Sequence, residues 1–199
     1  MARHMDGGGP QAGRASEEAL AVRLRALDHD AWACAYDDHH PRLWRYIYAR
    51  TGSQDLADDI AAQVFVEALA SIGRYRYDEK PIVAWLYGIA RRHISKRRRA
   101  DRLPRFGTLV QPAEDLLERR LLSITLGEAL RALTQDQRDV VLLRYFGEYS
   151  TREIAAALRR SAAAVYSLEE RALKRLRRVI GKRTDFDLPL ATKTGTSRV

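Results

Sequence analysis

The sequence predicts an all-α protein, and three observations carry that prediction. Apolar residues recur three and four positions apart in segment after segment, strand-like alternation is nearly absent, and the 12 glycines and 6 prolines cluster between the periodic segments. The periodic segments fall into two sets, so the expected architecture is two small helical domains joined by a flexible linker.

Each element can be justified in turn. Residues 1–16 read as a flexible leader, because "MARHMDGGGPQAG" lacks the apolar core of a secretory signal. Ser16 to Asp28 forms a short amphipathic segment through Leu20, Leu24 and Leu27. The next helix, Asp30 to Arg50, carries Trp32, Tyr36, Leu43, Trp44, Ile47 and Tyr48, and is entered or kinked at Pro41. The turn "TGSQD" leads to two adjacent apolar ladders, Leu56, Ile60, Val64, Ala68 and Ile72 beside Ala57, Ala61, Phe65 and Leu69. That broad face needs a packed neighbour. After the loop "GRYRYDEKP", Ile82, Trp85, Leu86, Ile89 and Ala90 make a similar stripe and close a domain spanning 17–99. Two prolines and a glycine break periodicity around the predicted linker, 100–115. A second domain over 116–183 follows, with helices at Leu121–Leu133, Asp136–Phe146, Thr151–Leu158 and Ser161–Ile180, then a disordered tail at 184–199.

Charge narrows the partners. Thirty-five Lys and Arg residues oppose 26 acids, for a net charge of +9 and a pI near 10.0. Such an excess favours a polyanion, nucleic acid first and anionic membrane second. No apolar run is long enough to span a bilayer, so membrane insertion is not expected. A single cysteine, Cys34, precludes an internal disulfide and fits a reducing cytoplasm.

The sharpest local signal is "YSTREIAAALRRSAAAVYSLEERALKRLRR". Ser150 and Glu153 have capping-box spacing, Ile154, Ala155 and Leu158 form the apolar side of a short helix, and a tight connection at Arg159 to Ser161 leads into a longer one. Val165, Leu168, Ala172, Leu176 and Val179 share one face of that second helix, and small Ala155 and Ala156 permit a close crossing. This is the layout of a helix-turn-helix, whose second helix enters the DNA major groove. Ten Lys and Arg against three Glu lie between Ser150 and Arg183.

A second basic stretch, Arg91 to Arg105, holds eight Lys and Arg and one Asp, and the preceding loop adds Arg74, Tyr75, Arg76, Tyr77 and Lys80. Aromatics interleaved with cations suit a single strand whose bases stack on rings while its phosphates are neutralised. Helix-dipole complementarity accounts for one or two of these cations but not eight. The acidic stretch "SQDLADDIAAQVFVEAL" presents Asp55, Asp58, Asp59 and Glu67 outside the apolar face, either docking a protein partner or complementing a helix start. The Asp and His residues of "DHDAWACAYDDHH" match no closed zinc spacing, and no phosphate-binding glycine loop, HExxH or nucleophile elbow occurs. No catalytic residue, cofactor or metal is therefore expected, and the chain does not read as an enzyme.

Taken in order, "LADDIAAQVFVEAL", "PIVAWLYGIARR" and "ALTQDQRDVVLLRYFGEYSTREIAAAL" resemble regions 2.2, 2.3 to 2.4 and 4 of bacterial sigma factors. Together they resemble the extracytoplasmic-function (ECF) group, which keeps only the −10 and −35 domains. The resemblance implies a transcription initiation factor that binds core RNA polymerase through the β′ clamp helices and β flap, recognises promoter DNA, helps melt the −10 element, answers to an anti-sigma factor and resides in the bacterial cytoplasm. It places polymerase binding at Leu56, Asp58, Asp59 and Gln63, and −10 binding at Tyr75, Arg76, Trp85, Arg91, Arg92, Lys96 and Arg97. Contacts to the −35 element fall at Arg152, Ser161, Tyr166, Ser167, Glu170, Arg171 and Lys174. The chain departs from the family pattern at Ala62, where glutamine is usual, at Arg92, where asparagine is usual, and at Arg159, the usual turn glycine. "VYSLEERA" is also more acidic than the usual run, through Glu169 and Glu170. The competing readings are a polymerase-independent helix-turn-helix regulator and a metal-dependent nucleic-acid-processing enzyme.

Overall fold

A computed structural model describes residues 10–77, 80–101 and 126–184. The leader before Pro10, most of the predicted linker, the start of the predicted second domain through residue 125 (including the first positions of the predicted Leu121–Leu133 helix) and the tail beyond 184 lie outside the described residues. The elements are α1 (Pro10–Arg25), α2 (His29–Thr51), α3 (Gln54–Ser71), a 3-10 turn (Ile72–Arg74), α4 (Ile82–Asp101), α5 (helical residues 126–131), α6 (Gln135–Tyr145), α7 (Thr151–Leu158) and α8 (Ala162–Thr184). No strand occurs among the described residues.

Side-chain chemistry starts and stops these helices as their backbone groups require. Asp28 caps α2 through the Ala31 amide and Ser53 caps α3 through that of Leu56. Reciprocal capping boxes begin α6 (Thr134 with Gln137) and α7 (Ser150 with Glu153). The second was expected, whereas the first was missed although "TQDQ" carries the same spacing. The Asp28 carboxyl is held down to about 2 by its bond from Arg23 and by the Ala31 amide. Gly52 ends α2 at φ 67°, a left-handed turn in which a β-carbon is strained.

Three details differ from the sequence reading. Helix α1 begins at Pro10, so it is longer than the segment starting at Ser16. Leu27 does not face the core. It is 60% exposed and adopts φ 58°, while the following amide of Asp28 bonds back to the Arg23 carbonyl and ends α1. Helix α2 continues through Pro41 because both Pro41 and Asp37, whose carbonyl loses its helical donor, lie at the exposed surface.

In the N-terminal half α2, α3 and α4 pack on one another, with α1 against α2. In the C-terminal half α6, α7 and α8 do the same. Leu43, Ile47, Leu86, Ile89 and Ile94 are fully buried in the first half, and Leu130, Leu142, Leu143 and Ile154 in the second. Each such side chain contributes about 1.5–3 kcal/mol by leaving water. The halves also touch, α4 against α7 and α2 against α6, so the buried apolar residues form one continuous cluster.

Candidate nucleic-acid interface

The second helix of the C-terminal pair is divided lengthwise. Val165, Ala172 and Leu176 are buried, while Ser161, Tyr166, Ser167, Glu170, Arg171 and Lys174 are all exposed. Arg152, on α7, is exposed as well. Ser161 takes a hydrogen bond from the Ala164 amide on its hydroxyl, capping α8. Glu169 behaves differently from its neighbour Glu170. It accepts from the Tyr145 hydroxyl at 3.0 Å and lies 3.6 Å from Arg144, which ties α8 to α6. Of the two acids in "SLEER", only Glu170 is exposed.

The turn between α7 and α8 is left-handed at Arg159, with φ 54° and ψ 48°, and the Arg160 amide reaches back to the Ala155 carbonyl at 2.9 Å. A non-glycine residue there carries about 1 kcal/mol of backbone strain. Gly147, in the loop before α7, is required for a different reason. A β-carbon there would sit 2.6 Å from the Tyr149 ring.

A second surface surrounds Trp85. Its ring stacks on Tyr75 at 5.1 Å with 28° between planes. Tyr75 is buried, and its hydroxyl donates to the Lys80 carbonyl at 2.9 Å, which fixes the loop entering α4. Burial, then the nearby Glu17 charge, pushes the Tyr75 phenol well above its usual range, so it remains a neutral donor. The pair borders a cavity of about 520 Å³ lined by Arg74, Arg76, Lys80 and Arg92. Arg91, Arg92, Lys96 and Arg97 are exposed along α4, and a neighbouring depression is lined by Arg91, Arg92, Lys96 and Arg99. Arg92 is ion-paired with Glu67 of α3, which also meets the His93 ring at 2.7 Å. Glu67 therefore serves the packing of α3 on α4, and a phosphate approaching Arg92 competes with a carboxylate already there.

The third surface is the outer side of α3. Asp58, Asp59 and Gln63 are exposed and Leu56 half-buried. Asp58 accepts from the Trp44 indole at 2.6 Å, which partly commits it to α2. Sequence reasoning missed Val66, which is 69% exposed on the same side as Asp59 and Gln63. The signal was legible, since Val66 belongs to neither apolar ladder. Leu69, placed on a ladder, is 49% exposed and sits at the edge of the buried face.

The acid- and histidine-rich stretch at 28–40 is absorbed locally. Asp28 is a cap, His40 stacks on Tyr36 at 4.6 Å, and His39 packs between the halves. Among the described residues no group of three or more His, Cys, Asp or Glu could hold a metal ion. Nor is any helix among them long and apolar enough to cross a membrane.

Comparison with known proteins decides the family. The family described as Sigma-70 region 2 matches residues 35–103, and Sigma-70, region 4 matches 123–176. The ECF RNA polymerase sigma factor SigD of Mycobacterium tuberculosis is 31% identical over 186 residues, covering 85% of this chain and 86% of that protein. The chain belongs to the ECF sigma factors. BldN of Streptomyces coelicolor is 29% identical over 170 residues, and this chain spans 64% of its length. In fold, the chain resembles CnrH, solved in complex with the cytosolic domain of CnrY, with a TM-score of 0.63 over 87% of this chain and 99% of that one at 22% identity. As a sigma factor it is a non-enzymatic initiation factor that directs RNA polymerase to promoters.

Proposed function

We propose that this ECF sigma factor divides promoter recognition between the two basic surfaces. Tyr166, Ser167, Glu170, Arg171 and Lys174 of α8, with Arg152 and Ser161, meet the −35 duplex in the major groove. There Glu170 favours a cytosine amine, and Arg171 and Lys174 supply guanine or phosphate contacts. The Trp85 surface takes the −10 strand. Bases leaving the duplex stack against Trp85 beside Tyr75, while Arg76, Arg91, Arg92, Lys96 and Arg97 neutralise the backbone. Leu56, Asp58, Asp59 and Gln63, extended by Val66, dock on the clamp helices of the polymerase β′ subunit, and the C-terminal half meets the β flap.

One observation supports this reading most: a stacked Tyr75–Trp85 pair borders a cavity ringed by Arg74, Arg76, Lys80 and Arg92. A polymerase-independent regulator has no use for a base-stacking site in addition to its helix-turn-helix. The reading extends to the bacterial cytoplasm, where RNA polymerase works, and to an anti-sigma factor as antagonist, since the similar CnrH was solved with CnrY. Run-off transcription from genomic fragments, with core polymerase and with or without the protein, tests it. Permanganate reactivity of −10 thymines then assigns melting, and unchanged reactivity in Trp85→Ala would remove Trp85 from the mechanism.

A further inference from the structure

One glycine in α4 has no packing to explain it. Gly88 lies inside the helix, where glycine gives up more backbone entropy than any other residue. Such a residue is usually kept where a neighbour must come close. A β-carbon on Gly88 would meet nothing within 4 Å beyond its own helix backbone, among the described residues. Gly88 is exposed, with Trp85 three positions before it and Arg92 four positions after, so the three share one face. Along that face the helix presents a ring, a gap and a cation. The cavity of about 520 Å³ and the neighbouring basic depression meet at the gap, since Gly88 and Arg92 line both.

The cation is held in place. One terminal nitrogen of Arg92 pairs with the Glu67 carboxylate of α3, whose other oxygen meets the His93 ring at 2.7 Å. Arg92 nevertheless stays 67% exposed. An ion pair this exposed stabilises the fold little, so its main consequence is to orient the guanidinium. A planar fork tied at one corner keeps its plane and offers its remaining N–H groups to a second planar acceptor. Guanine answers with two adjacent acceptors, O6 and N7, whereas adenine puts an amino donor beside N7. Pyrimidines are single rings and span less of the distance from Trp85 to Arg92, about 10 Å along the helix axis.

We propose that Gly88 is the floor of a purine slot: a guanine of the −10 strand stacks on Trp85, lies across Gly88 and meets Arg92 through O6 and N7. Its phosphate falls into the neighbouring depression beside Arg91, Lys96 and Arg99. Gly88 and Arg92 determine which base is accepted. Glu67 does not line the cavity, and it acts as a positioning residue that fixes the plane of Arg92. A side chain at Gly88 would fill the slot without touching any other element, so the cost of the glycine is balanced only when a base is bound. Guanine selection rests on the assignment of the Trp85 surface to −10 capture and names the base that surface reads.

The experiment uses holoenzyme assembled from core RNA polymerase and the full chain, with core polymerase alone as background. Fluorescein-labelled single strands of thymine carry one central guanine, adenine or cytosine, and anisotropy gives their affinities. The guanine strand should bind about tenfold more tightly than the other two, and 7-deazaguanine, which lacks the N7 acceptor, should lose most of that advantage. Arg92→Asn should level the bases. Glu67→Gln should shrink the guanine preference while overall strand affinity holds or rises, since a negative charge is removed. A merely structural role for Glu67 would instead lower affinity for every strand alike. Gly88→Leu introduces a better helix former, so Tm should rise while the filled slot loses its guanine preference. Equal affinities, a preference for adenine or cytosine, or full guanine preference in Gly88→Leu would overturn the slot. Trp85→Ala separates that failure from a mistaken −10 assignment. Unchanged strand affinity there removes the whole surface from strand capture, whereas affinity lost without guanine preference in the wild type overturns guanine reading alone.

Discussion

The two surfaces proposed to face DNA are built to different degrees of readiness. On α8 the proposed reading residues stand out from a helix whose opposite face is buried, and they are exposed among the described residues. On α4 and its preceding loop, Tyr75 is buried under Trp85, Arg92 is paired with Glu67, and α7 forms one wall of the cavity. The difference follows from the chemistry of each task. A major groove presents its code to any helix that fits it, so the reading face can be preformed. Capturing an unstacked base needs an apolar slot, and an apolar slot left open to water invites whatever can cover it.

The comparison can be broken most severely at Asp139. Asp139→Ala removes the carboxylate that faces the buried Arg50 charge, and loss of one partner from such a pair costs about 3–5 kcal/mol. Urea unfolding should show that loss, whereas Arg50→Met with Asp139→Leu should restore most of it. Trp85→Ala acts on the −10 side alone. It should lower strand affinity by about 1–3 kcal/mol, the usual worth of a base–aromatic stack, while −35 duplex binding measured by anisotropy is unchanged.

Mild acid should act at the junction. The His39 pKa is lowered, by burial first and then by Arg42, against smaller opposing effects of Asp38 and Glu153. A group held neutral in this way destabilises nothing above the ordinary histidine value of about 6.5, and its stability contribution is lost as pH falls below that value. Stability to urea should therefore decline as pH falls from about 7.5 to about 5.5, and His39→Gln should flatten the decline. On the open surface, Arg171→Ala should weaken −35 binding and, if Arg171 contacts a phosphate, reduce the salt slope of log K by about 0.9. The smallest effect is expected at the turn. Arg159→Gly relieves a left-handed residue and should raise stability by about 1 kcal/mol, read as a small rise in Tm.

Much of the molecule was legible in its residues. The α7 capping box, the α7–α8 turn and the apolar stripe of α8 all follow from local spacing, because helix caps and amphipathic faces depend on neighbours three and four positions away. The placement of Leu27 and Leu69 did not follow. Their hydrophobicity fits a buried face, but the end of α1 and the edge of α3 are decided by where the next element crosses. Val66 was readable only as an absence from both ladders.

By itself, then, the sequence determined two helical sets, their basic faces and the family to which they belong, since these rest on periodicity, composition and ordered motifs. Only the tertiary structure decided which cations face solvent and which are engaged within the chain. Arg42, Arg45 and Arg50 look no different in sequence from Arg91 or Lys96, yet the first three grip the opposite half and the last two lie exposed. The physical reason is that their partners, Glu148, Glu153 and Asp139, lie about a hundred positions further along the chain. No local pattern encodes a contact at that separation.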